Sequence, residues 1–178
     1  MQLTLTPLAD AGVALLPPDI VWNGVVGDFA VSAGGDDGPA GGLKAANPLR
    51  TAVILLLFTD ARAETYELRH EHRGDRRGWP GDGFDVDRSK GEAPLGSKLW
   101  LYRRHELTDG TAMAVATEAE RALQPLIRQG AVVRIAARAT ADKPAGRIRL
   151  TVNLYGRDGR EAYAPQFDLL WRRADGGL

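Results

Sequence analysis

The stretch ALQPLIRQGAVVRIAARATADKPAGRIRLTVNLY, Ala122 to Tyr155, changes its hydrophobic period at Gly130. Upstream, Ala112, Val115, Ala116, Ala119, Ala122, Leu123, Leu126 and Ile127 recur at three and four residues. That spacing predicts a helix over about 109–129, with Thr108 as N-cap and Gly130 as its stop. Pro125 lies inside the pattern and is expected to kink the last turn. Downstream the period is two. Val133, Ile135 and Ala137 alternate with Arg134 and Arg138, and Ile148, Leu150, Val152 and Leu154 alternate with Arg147, Arg149, Thr151 and Asn153. These are two half-buried strands joined through Asp142-Lys143-Pro144-Ala145-Gly146. Asp158-Gly159 turns the chain into a third, with Phe167, Leu169 and Trp171 on one parity and Pro165 at an edge or bulge. An antiparallel meander with one apolar face on a long helix defines an α+β fold.

Working outward, Leu49 to Thr59 holds the dense block Ala52-Val53-Ile54-Leu55-Leu56-Leu57-Phe58. Pro48 suits a first helical turn, and Leu49, Ala52, Val53, Leu56 and Leu57 fall on one stripe, so this reads as a short buried helix. The first residues read as strands. Leu3 and Leu5 alternate with threonines, and Ile20–Trp22 and Phe29–Val31 flank Asn23-Gly24, which predicts a small N-terminal β-hairpin. Ser32 to Asn47 turns to Gly, Asp, Pro and Ala and reads as a mobile linker or arm. The expected division is therefore 1–47, strands and arm, and 48–178, the α+β domain. Between the helices, Ala63 to Gly96 is a nearly all-polar loop whose Trp79 and Phe84 stand out. A solvated linker seldom carries a tryptophan, so Trp79 is expected to anchor this loop on its own domain or on a partner.

The 178 residues suit one core, and 23 Lys+Arg balance 23 Asp+Glu, which argues against a dedicated polyanion binder. The zero hides a gradient. Residues 1–48 carry five Asp against Lys44, while residues 130–178 carry nine Lys or Arg against five acids. Such lopsided charge suits electrostatic docking onto other subunits. Nineteen of the cations are Arg, whose planar fork suits paired carboxylate contacts, although a GC-rich genome also inflates Arg, Ala and Gly together. The absence of Cys excludes disulfides, thiolate metal sites and cysteine nucleophiles, and suits a reducing compartment. No apolar run approaches the roughly 18 residues of a membrane span, and the start lacks a signal-peptide pattern, so a soluble protein is expected.

Each constellation that carries chemistry elsewhere is incomplete here. His70-Glu71-His72 offers metal-ligand spacing, but spacing does not bring His105 or another ligand to it. Asp85-Val86-Asp87-Arg88-Ser89 imitates half of a calcium loop, then fails at Lys90 and Gly96. Gly81-Asp82-Gly83 opens no phosphate-binding helix, and Glu118 or Glu120 supplies a carboxylate pair only as any acid-rich chain would. No catalytic, cofactor or metal site is assigned, and a non-enzymatic protein is expected. Arg134, Arg138, Arg147 and Arg149 share the predicted outward strand face beside Tyr155. That face reads as ordinary solvated surface, as a receiver for an acidic subunit, or as a phosphate track, in that order.

Three motifs in order, Leu49–Ala63, then Gly74-Asp75-Arg76-Arg77-Gly78-Trp79-Pro80-Gly81-Asp82, then Gly96-Ser97-Lys98-Leu99-Trp100-Leu101, precede the long helix and the meander. Together they resemble the Mu-type phage tail baseplate proteins, related to the sheath-initiator subunits of contractile tails. The resemblance spans about 36–171, and the Asp-Arg-Arg-Gly-Trp run is its most specific piece. It implies a structural subunit present in several copies in the virion tail baseplate, made in the host cytoplasm. It also implies contacts with wedge and hub proteins and a strand edge on which the sheath builds. No small-molecule substrate, membrane or nucleic-acid partner is implied. Asp75, Arg76, Arg77, Trp79 and Asp82 become the expected partner loop, with Arg134, Arg138, Arg147 and Arg149 as a second interface. Two departures stand out: Pro80 replaces a second tryptophan, and the Glu-Pro-Arg triplet that follows the long helix in sheath-initiator relatives is absent from Gln129–Arg134. A cell-wall hydrolase and a nucleic-acid module are the alternatives from other classes.

Overall fold

The computed structural model describes residues 19–22, 27–34, 40–44, 48–79, 81, 83–84, 86–164 and 166–170. The chain divides into two units, Met1–Thr51 and Ala52–Leu178.

In the first unit, β1 (Ile20–Trp22) pairs antiparallel with β2 (Gly27–Phe29), as the Asn-Gly signal predicts. The second strand begins and ends two residues earlier than expected, and Val31 instead bridges to Leu43. The Gly/Asp-rich arm corrects the reading as a mobile linker where it is described. Ser32 N–H donates to Gly42 O, Gly41 N–H to Ser32 O and Lys44 N–H to Ala30 O, so backbone pairing orders a segment that is poor in large apolar side chains. The predicted strand at Leu3 and Leu5 lies outside the described residues.

α1 (Pro48–Phe58) spans the division between the units; it begins at the predicted proline and, within the second unit, buries Val53, Ile54, Leu56 and Leu57, leaving Leu55 on the open side. α2 (Asp109–Arg128) is capped by Thr108, whose hydroxyl accepts from Thr111 N–H at 3.1 Å, and it runs through Pro125. The meander follows as β3 (Arg134–Asp142), β4 (Arg147–Tyr155), β5 (Glu161–Tyr163) and β6 (Gln166–Leu170). β4 is central. β3 pairs with its whole length on one side, while β5 and β6 share the other, so the single predicted third strand is two short ones. Pro165 and Trp171 lie outside the described residues.

Alternation then decides the faces. Ile148, Leu150, Val152 and Leu154 are fully buried, and their partners across β3 are Ala141, Ala139, Ala137 and Ile135. Small side chains on β3 leave room for α2 to pack close, burying Val115, Ala119, Ala122 and Leu123. Phe58 of α1 meets Phe167 of β6 edge to face at 5.1 Å, tying the short helix to the far strand. Each fully buried leucine contributes about 1.5–3 kcal/mol, which makes this layer the main source of stability. Among the described residues no helix is long and apolar enough to cross a membrane.

Candidate assembly interface

The polar loop is not free chain. Three 3₁₀ turns, Thr65–Glu67, His70–His72 and Arg88–Lys90, punctuate it, and a fourth, Leu99–Tyr102, buries Leu99, Trp100 and Leu101. The three sequence motifs converge on the segment that leaves α1. On one side, Ser97 N–H donates to Thr59 O and Ala61 N–H to Ser97 O. On the other, Ala63 N–H donates to Arg76 O and the Arg76 Nε–H to Ala63 O at 2.7 Å. The approach is close enough that glycine is required twice. A Cβ on Gly78 would fall 2.9 Å from Arg62 Cβ, and one on Gly96 would fall 2.5 Å from Thr59 O.

Side chains complete this clasp. Arg77 Nη1 lies 2.8 Å from Asp60 Oδ2, its Nε 3.6 Å from Asp75 Oδ2, and its Cζ 4.8 Å from the centre of the Trp100 ring. Asp75 also accepts from Arg77 N–H, and Arg76 reaches Glu64 at 2.8 Å. Trp100 Nε1–H donates to Ala61 O at 2.9 Å. Asp75, Arg76 and Arg77 therefore fasten the loop to its own domain. Asp60 and Trp100 are the partners that sequence reasoning missed, because they lie outside the Gly74–Asp82 run. Asp82 itself is outside the described residues.

A second set of polar contacts links the loop to α2. Lys98 Nζ lies 2.7 Å from both Glu67 oxygens, and Lys98 N–H donates to Glu118 Oε1. Glu118 is only 7% exposed and takes both Arg121 Nε–H and Nη2–H. Partial burial pushes the Glu67 carboxyl up, but the Lys98 ammonium and the Glu64 contact outweigh it and hold the carboxyl below its ordinary range.

The groups weighed for chemistry have structural employment. His72 accepts Arg69 N–H at Nδ1 and contacts Leu101 O through Nε2, so neither ring nitrogen is offered to a metal. His105, which spacing did not connect to the pair, comes to 3.5 Å from Glu71. Burial first, then the charge of Arg69, hold its imidazole below the ordinary value, against the pull of Glu71. Asp87 caps a 3₁₀ turn through Ser89 N–H, and Glu120 Oε1 accepts Ala137 N–H at 2.8 Å. Among the described residues no three His, Asp or Glu gather as metal ligands.

What the loop leaves outside is aromatic. Trp79 is 43% exposed and Phe84 76%, with Tyr66 also open, and the Trp79 ring lies over Gly81. The arginine face has the predicted geometry. Strand parity puts Arg134, Arg138, Arg147 and Arg149 on the side opposite the core, with Arg134 directly across from Tyr155 and its Cζ 3.5 Å from the ring centre. Arg147 is engaged by Asp142 at 3.4 Å, and Arg149 stands opposite Asp168.

A family model described as phage protein GP46 matches residues 49–161. The baseplate protein gp46 of Escherichia phage Mu is 35% identical over 120 residues, covering 67% of this chain and 74% of that protein. No solved structure matches. The matched span holds the whole clasp, α2, β3 and β4, and on this footing the chain belongs to the GP46 family of phage proteins.

Proposed function

We propose that this chain is a structural subunit of a phage tail baseplate, built into the virion beside other tail proteins and acting by assembly, not by turnover. The observation that carries the reading is the 35% identity to the Mu baseplate protein across most of both chains. The loop supports it, since a clasp anchored from within presents Trp79 and Phe84 outward, and exposed aromatics on a fixed frame are the usual anchors of protein interfaces. In the fuller form of the proposal the subunit joins wedge and hub proteins and offers a strand edge to the first sheath ring of a contractile tail. On β3 the central N–H, that of Ala137, is already taken by Glu120, which favours the β6 side for such strand addition.

Trp79→Ala/Phe84→Ala tests this. The isolated variant is expected to melt within a few degrees of wild type while complete tails fall sharply in a complementation assay. Wild-type tail yield would remove the loop from the interface. Arg77 is not suitable for the test, because its loss opens the clasp as well. Zymography of the purified chain on cell-wall material separates the hydrolase alternative: a cleared zone would contradict the structural reading.

A further inference from the structure

We propose that the outward face of the C-terminal sheet holds an acidic segment of a neighbouring tail protein, gripped at two points by Arg134 and Arg138. The inference rests on the subunit reading and names the chemistry of one of its partners.

The four arginines of this face are not equivalent. Arg147 lies 3.4 Å from Asp142, and Arg149 has contacts of its own. Arg134 and Arg138 are exposed, and among the described residues neither meets a carboxylate. They stand four residues apart on β3, about 13 Å along an extended strand, with Ala136 as small apolar surface between them. The Arg134 guanidinium stacks on the Tyr155 ring, 3.5 Å from its centre. Stacking uses the face of the group and leaves its N–H edge, so the fork is held in one orientation before a partner arrives. A planar fork fixed in this way suits a carboxylate, which it meets through two parallel hydrogen bonds. Two exposed cations without an acid complement negative charge on whatever covers them.

Protein carboxylates fit this face better than a phosphate backbone does. Asp142 sits in the same row as Arg134 and Arg138. Glu161 is exposed directly across from Tyr155, and Asn153 Nδ2–H donates to it at 2.6 Å. A polyanion laid along the strands would run into both acids, whereas a protein segment can set polar or basic groups against them. Arg134 also covers the Tyr155 ring, on which a base would otherwise stack. The chain as a whole balances 23 cations with 23 acids, so it lacks the net positive field that draws nucleic acid.

Tail yield and cross-linking test the proposal in assembled particles. Arg134→Glu/Arg138→Glu should melt within a few degrees of wild type, since both side chains are exposed, and should lower the yield of complete tails at least about tenfold. Arg138→Glu alone, at a side chain with no ion pair or ring contact among the described residues, should lower it in the same direction. Arg138→Lys keeps the charge and introduces an amine, so its tails should form. Carbodiimide treatment of those tails should join the introduced amine to an Asp or Glu of another tail protein, giving a product absent from wild type. Wild-type tail yield from the charge-reversed variants overturns the proposal, as does an introduced amine that couples to no other tail protein. Retention of the wild-type chain on a DNA column that is lost in Arg134→Glu/Arg138→Glu overturns it too, because the face then belongs to nucleic acid. If the charge-reversed variants build normal tails while Trp79→Ala/Phe84→Ala blocks them, only this inference falls and the baseplate reading stands.

Discussion

Arg77 places its guanidinium 2.8 Å from the Asp60 carboxylate and over the Trp100 ring, so one side chain joins three segments distant in sequence. Both partners of the ion pair are partly exposed, so solvent screening keeps the pair itself to about 0.5–1 kcal/mol, and the ring contact adds a similar amount. Arg77 also sits at φ 49°, a left-handed conformation that the surrounding contacts must hold.

Arg77→Ala is accordingly expected to lower stability by about 1–2 kcal/mol in chemical denaturation. Arg77→Lys should recover little, because an ammonium keeps the charge and loses both the planar stack and the fork. A lysine variant as stable as wild type would reduce the clasp to simple charge pairing.

Gly96 gives a sharper expectation. Its φ is 110°, and an added methyl would sit 2.5 Å from the Thr59 carbonyl, which itself accepts Ser97 N–H. Backbone cannot yield as a side-chain tip can. Gly96→Ala should cost about 2 kcal/mol or more and speed hydrogen exchange at Ser97 and Ala61, the two amides of that bridge.

Glu118 separates a buried polar network from surface pairing. Glu118→Ala removes the acceptor of Lys98 N–H and should cost about 1–3 kcal/mol. Arg121→Ala removes the more exposed partner and should cost clearly less, since Lys98 N–H keeps its acceptor. Equal losses in the two variants would show that the arginine, not the backbone cap, carries the site.

How much of this was legible follows the range of the interaction. α2 and the meander were readable because their periodicity is local, and Gly130 marks the change from one to the other. The orientation of the arginine face followed from parity alone. The clasp was not readable in the same way. Asp60 and Arg77 are 17 residues apart, and Trp100 and Ala61 are 39 apart, so no spacing rule links them, although family resemblance grouped their motifs. Glu118 stood out in the sequence only as one acid among many that could form a carboxylate pair, because its burial comes from tertiary packing of the loop against α2. The arm was misread for the opposite reason: composition reports apolar content, whereas the pairing of Ser32 with Gly41 and Gly42 is made by backbone groups that every sequence carries.

Acid should weaken the fold through two groups. Burial, and then Arg69, depress the His105 pKa below its ordinary 6.5, so the unfolded chain takes up a proton first. Its contribution is complete above pH 6.5 and is lost as pH falls through the folded-state value. Glu67 is depressed below 4.5, and its contribution is lost in turn at lower pH. Stability measured from pH 7.5 downward should therefore begin to fall in the region near pH 6, and His105→Phe should flatten that first decline. An unchanged profile in the variant would show that His105 is protonated as readily in the folded chain as in the unfolded one.

Glu120 and Ala137 predict what keeps β3 from acting as an open edge. The carboxylate of α2 accepts the Ala137 N–H at 2.8 Å, and that N–H belongs to the side of β3 turned away from β4. Glu120→Ala leaves the amide without its acceptor, with an expected cost of about 1 kcal/mol and faster exchange at Ala137 than at its neighbours in the β3–β4 ladder. An unguarded edge also recruits other strands, so the variant should aggregate sooner on heating than its lower stability alone explains. A variant of matched stability altered elsewhere, such as Leu150→Val in the core, provides the comparison. If the two aggregate alike, Glu120 contributes only to stability, and the strand edge is protected by the packing of α2 itself.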